Sequence, residues 1–130
     1  MPTFRYRYSS STPPGPAVLL NLAHPVSGQR LEDVSALVDS GADQSVIPER
    51  IVEALGLLQI DQEIVRGFDG SSQILATYLV VLQIRDLAPV EIEVLASSRV
   101  PYAVVGRDVL NRYKVVLDGP GSVMSISDDP

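Results

Sequence analysis

A chain of 130 residues with 45% apolar and 20% charged side chains has the size and composition of one globular domain. Ten Lys and Arg against sixteen Asp and Glu leave a net charge of −6, a poor match to nucleic-acid phosphates or anionic membranes. The absence of Cys and the single His, His24, exclude disulfides, iron–sulfur clusters and thiolate or multi-histidine metal sites within one chain.

No apolar run approaches the ~18–20 residues that span a bilayer, and the start does not resemble a signal peptide. A cytoplasmic location is the expectation. Residues 1–16 read as an arm and linker. Phe4, Tyr6 and Tyr8 alternate with Arg5 and Arg7, which suits a terminal strand better than a grip on single-stranded nucleic acid. The following Ser- and Pro-rich stretch, 9–16, has linker composition.

The body of the domain spans 17–126. Ala17 to Leu22 forms a first apolar strand, ended by His24-Pro25 and turned through Ser27-Gly28. Leu31 to Val38 is a second strand that runs into Asp39-Ser40-Gly41. Pro48 suits the first position of a short helix, with Ile51, Val52 and Leu55 on one face and Gly56 as its stop. Strands resume over 58–66 and 73–84, joined by Gly67-Phe68-Asp69-Gly70, whose Asp-Gly pair signals a tight hairpin. Val90, Ile92 and Val94 alternate with Glu91 and Glu93, a strand with one solvated face. A second short helix is expected over 107–112, with Val109, Leu110 and Tyr113 turned inward. A final hairpin pairs 114–117 with 122–126, leaving 127–130 as a loose tail. The sum is a mostly β, mostly antiparallel domain with one or two short helices.

Without thiols or histidine clusters, carboxylates, hydroxyls and backbone amides carry whatever chemistry the chain performs. Ala36-Leu37-Val38-Asp39-Ser40-Gly41-Ala42-Asp43 is the most informative stretch. An apolar strand ending on Asp is costly unless the carboxylate is bonded, paired or used. Gly41 lets a backbone amide approach that carboxylate. By itself such an Asp also fits an ordinary Asx-turn or cap. A second box follows, Ala103-Val104-Val105-Gly106-Arg107-Asp108-Val109-Leu110, its glycine sixty-seven residues after Asp39.

With the two boxes in this order and a Gly-bearing hairpin between them, the sequence resembles the retropepsin-like aspartic proteases, in particular their bacterial members. The closing stretch from Asn111 to Pro120 adds to the likeness, which covers about 17–126. The resemblance implies a retropepsin-like β-barrel monomer, active as a two-fold homodimer. It makes Asp39 the catalytic aspartate, Ser40 the hydroxyl that bonds across to the partner chain, and Gly41 the glycine beside the acid pair. Ala42 lines the substrate channel. Asp43 pairs with Arg107 after the second glycine, Gly106, as a brace between loop and helix. Gly67, Phe68, Asp69 and Gly70 fall at the tip of the flap, less glycine-rich here than in retroviral enzymes.

The chain holds only one Asp-Ser-Gly box, so the second acid must come from a second copy. The expected activity is an aspartic endopeptidase acting on extended polypeptides, with no metal or other cofactor and no nucleic-acid or membrane partner. A catalytically idle member that binds peptides or only dimerises is the alternative, and chance motifs on a plain β domain a third. Val38, Ala42, Ile64, Phe68, Val100, Pro101 and Val104 could wall apolar pockets, though for most of them the core is the plainer expectation. His24 reads as a surface turn residue.

Overall fold

The computed structural model describes residues 3–10, 13–67 and 69–128. Among the described residues ten strands and two short helices follow one another. Strand β1 (Thr3–Arg7) precedes β2 (Ala17–Ala23), β3 (Arg30–Val38) and the short β4 (Val46–Pro48). Helix α1 (Glu49–Leu55) leads to β5 (Gln59–Arg66), β6 (Ser72–Ile84), β7 (Val90–Ser97) and β8 (Ala103–Val105). Helix α2 (Arg107–Leu110) and the hairpin of β9 (Lys114–Asp118) and β10 (Val123–Ser127) complete the order.

Seven strands form one sheet in the order β2-β3-β8-β4-β7-β6-β5. Antiparallel pairing of β2 with β6, Leu20 opposite Ile84, closes six of them into a barrel. Alternation explains the interior: Val18, Leu20 and Leu22 of β2 meet Val80, Leu82 and Ile84 of β6 in one buried cluster. Helix α1 covers the barrel with Ile51, Val52 and Leu55 and stops at Gly56, whose φ of 65° suits glycine. Pro48 ends β4 and stands one residue before the helix, not at its first turn. Helix α2 stops at Leu110, two residues short of the expected end, and Val109 and Leu110 are buried. The wet face expected for β7 holds for Glu91. Beyond it Leu95, Ala96 and Ser97 are buried because β4 pairs with that end.

A second sheet of three strands, in the order β1-β10-β9, joins the two ends of the chain. Within the arm Thr3–Arg7 is a strand. Phe4, Tyr6 and Tyr8 pack against the core, while Arg5 and Arg7 are exposed. His24 sits in its turn, where Nδ1 accepts the backbone N–H groups of Val26 and Ser27.

Candidate active site

The distant boxes meet because β3 and β8 lie side by side in parallel, Ala36 beside Ala103 and Val38 beside Val105. The ladder runs one step further, the Asp39 N–H donating to the Val105 carbonyl over 2.9 Å. A buried pair of strands therefore delivers Asp39 and Gly106 to one end of the barrel. Immediately past the strand, the Gly41 N–H donates to Asp39 Oδ1 at 2.9 Å, and the Ala42 N–H to the Asp39 carbonyl. A methyl on Gly41 would sit 3.1 Å from that same carboxylate oxygen, so glycine keeps the turn uncrowded. Asp39 is half-buried and Ser40 and Gly41 are exposed, which leaves the carboxylate at the surface end of a rigid strand.

Helix α2 braces this turn. The Arg107 guanidinium donates to the Ser40 carbonyl at 2.7 Å and pairs with the Asp43 carboxylate, while its backbone N–H bonds the Ala42 carbonyl. Asp43 is thus a partner of Arg107, as a brace requires. Gly106 is buried and packed against backbone. A methyl there would lie 2.8 Å from the Ala42 carbonyl oxygen and 2.9 Å from the Gln44 carbonyl carbon. Sequence reasoning missed a second brace. Ser45, fully buried, donates from Oγ to Asp108 Oδ1 at 2.8 Å and accepts the Gly106 N–H at 3.0 Å. The Ser45 N–H donates to the other carboxylate oxygen of Asp108 at 2.9 Å. Asp108 stood in the second box as an acid in the first turn of a helix, the one signal that pointed to it.

The segment expected to be a flap is the far end of the β5–β6 hairpin. Residues 72–76 pair only with β5, since β7 joins β6 from Thr77 onward. At its tip Gly70 has a φ of 81°, and the Gly67 N–H bonds the Ser71 carbonyl. Asp69 caps the turn: its Oδ1 accepts from the Ser71 hydroxyl at 2.6 Å and from the Ser71 N–H at 2.9 Å. Those two bonds hold the Asp69 carboxyl below the usual carboxylate range. The cap's contribution is present above that usual range and is lost as pH falls through the lowered value. Phe68, expected at the tip, lies outside the described residues.

Among the described residues of the suggested pocket walls only Val38 is buried. Ala42, Val100 and Val104 are half-buried and Pro101 is exposed. Ile64 stands 70% exposed opposite Ile74 at 66%. The core expectation is therefore corrected for the half-buried and exposed members, since Ala42, Val100 and Pro101 lie on loops, Val104 on the short β8 and Ile64 on a hairpin with no third strand. Among the described residues no cluster of His, Asp and Glu could hold a metal ion, and no helix is long and apolar enough to cross a membrane.

Comparison with known families agrees with this geometry. Residues 26–112 match the family described as "gag-polyprotein putative aspartyl protease". The chain belongs to this family. Its fold is similar to that of the protease of EIAV, solved with the inhibitor HBY-793, at a TM-score of 0.61 and 20% identity. That match covers 79% of this chain and 93% of the viral one. A retropepsin-like aspartic protease from Rickettsia conorii superposes with a TM-score of 0.60 at 13% identity, over 96% of this chain and 91% of its own. No curated protein sequence matches the chain. The fold of this family member is thus a mostly β, retropepsin-like barrel with short helices.

Proposed function

We propose that the protein is an aspartic endopeptidase whose site forms between two copies of the chain, each supplying Asp39. The observation that carries this reading is the Asp39 carboxylate, held by the Gly41 N–H at the surface end of a strand locked to the Gly106–Arg107 segment. The chemistry is that of aspartic proteases generally, in which two facing carboxylates share one proton and act as base and acid. The ionised member takes a proton from water as the water oxygen attacks the peptide carbonyl carbon. The protonated member gives its proton to the carbonyl oxygen. Collapse of the tetrahedral intermediate then breaks the C–N bond, with a proton passing to the leaving amine.

Ser40 is exposed beside Asp39, and among the described residues its hydroxyl has no hydrogen-bond partner, which suits a bond to the other copy. Ala42 and Val104, half-buried near the turn, would line the channel. The flap, from Gly67 through Phe68 and Asp69 to Gly70, would close over an extended peptide that pairs with hairpin backbone. Asp39→Asn tests the reading. The amide can neither accept nor supply the proton, so cleavage of a mixed peptide pool at mildly acidic pH should fall by roughly 1,000-fold or more with the dimer retained. Cleavage unchanged by that substitution would refute the assignment. A wild-type dimer that binds peptides and never cleaves them would favour the idle alternative.

A further inference from the structure

A second concave site opens where β1 of the three-stranded sheet lies beside β2 of the barrel. This cleft holds about 500 Å³, within the ~300–1,000 Å³ typical of small-molecule pockets. Among the described residues no part of the Asp39 turn, the Gly106 box or the β5–β6 tip lines it. Three arginines do. Arg5 and Arg7 stand two residues apart on β1, so both project from the face opposite Tyr6, which packs on the core. Arg85 directly follows β6, and its backbone N–H donates to the Leu19 carbonyl of β2 at 3.3 Å, which fixes it to the barrel side of the cleft. Ser10 and Ser35 add hydroxyl groups to the lining, and Leu19 adds apolar surface.

The charge balance of this cleft runs against that of the chain. Sixteen acidic residues outnumber ten basic ones, yet three of the ten converge here and, among the described residues, no carboxylate lines the cleft. Among the described residues none of the three arginines forms an ion pair. Asp86, beside Arg85 in sequence, is the nearby acid. Burial chiefly, and then the Asp86 carboxylate, push the Tyr6 phenol above its usual range, so the tyrosine adds no negative charge of its own. Guanidinium groups gathered without an acid repel one another until an anion sits among them.

We propose that this cleft binds a small phosphate-bearing anion, held between Arg5 and Arg7 on one side and Arg85 on the other. Guanidinium groups bond phosphate oxygens through paired N–H donors. A tetrahedral phosphate offers oxygens to both sides at once, whereas a planar carboxylate presents its two in one plane. The Ser10 and Ser35 hydroxyls supply further donors. Arg5 and Arg7 belong to the three-stranded sheet and Arg85 to the end of a barrel strand, so the occupant ties the arm to the barrel. A ligand that binds only this folded junction stabilises it. No step of the proposed cleavage passes through the cleft, so the site stands or falls apart from Asp39.

Titration with inorganic pyrophosphate tests the site, followed by calorimetry and by the amide chemical shifts of the whole chain. One pyrophosphate per chain is expected, with shifts concentrated at Arg5, Arg7, Ser10, Ser35 and Arg85 and slower hydrogen exchange over 3–7. Arg5→Gln, Arg7→Gln and Arg85→Gln should each weaken binding roughly 10-fold or more. Arg30→Gln, at an exposed arginine already paired with Glu32, should leave it unchanged, as should Asp39→Asn. Ser35→Glu, at an exposed strand position, sets a carboxylate in the cleft while keeping every arginine, and should abolish binding. Circular dichroism checks that each variant is folded. Pyrophosphate that fails to bind, shifts scattered over all basic residues, or an affinity indifferent to the three arginines would overturn the site. Citrate binding more tightly than pyrophosphate would overturn its assignment to phosphate.

Discussion

The floor of the site and its flap are built on opposite principles. The Asp39 turn stands at the end of a strand paired on both sides, and α2 holds it through Arg107, Gly106 and the buried Ser45–Asp108 bonds. The flap, over 62–66 and 72–76, has no third strand, and its cross-strand pair Ile64 and Ile74 stands in solvent. Two-stranded ribbons are marginal in water without a surface to cover. Under the proposed activity, acid–base chemistry needs carboxylates fixed to fractions of an ångström, whereas a peptide must enter and leave. One chain can meet both demands by bracing the acid with long-range bonds and leaving the hairpin tip on two strands.

That contrast can be broken at the floor. Gly106→Ala drives a methyl into backbone that cannot move aside, and should cost about 3 kcal/mol of stability, read as a lower midpoint of denaturant unfolding. A midpoint like that of wild type would mean the Ala42–Gln44 backbone is not fixed. Ser45→Ala leaves the buried Gly106 N–H without an acceptor and one Asp108 oxygen without its hydroxyl. It should cost about 2 kcal/mol. Peptide cleavage should fall with it, through misplacement of Asp39.

The flap sharpens the comparison from the other side. Gly70→Ala puts a side chain at φ 81°, a strain of about 1 kcal/mol confined to the tip. Global unfolding should barely change, while hydrogen exchange in 62–76 should speed up and KM should rise. A full loss of global stability would show that the flap belongs to the folding core.

Much of this floor could be read from residues alone. The Asp39 box stood out because an apolar strand ending on a carboxylate is costly unless that group is bonded or used, and the Gly106 box took its meaning from the family likeness. The Asp43–Arg107 pair followed from the family likeness. What the residues could not show is why boxes sixty-seven positions apart touch, since parallel pairing of β3 with β8 is a property of the closed barrel. Strand β4 escaped notice because Val46-Ile47-Pro48 is too short for any period, and only β7 and β8 make it a strand. Ser45 hid in a turn-like stretch where serine is commonplace, and burial alone makes it a brace. On the flap, the apolar Ile64 suggested a pocket wall or core. Its exposure follows from the missing third strand, which no local pattern encodes.

The central claim is that a working site takes two chains. Calorimetric titration with a peptide whose scissile carbonyl is replaced by a tetrahedral hydroxyl group tests it most directly, since such a mimic binds the site tightly. One mimic bound per two chains, abolished in Asp39→Asn, is the predicted result. One mimic per chain, or binding indifferent to Asp39, would contradict it.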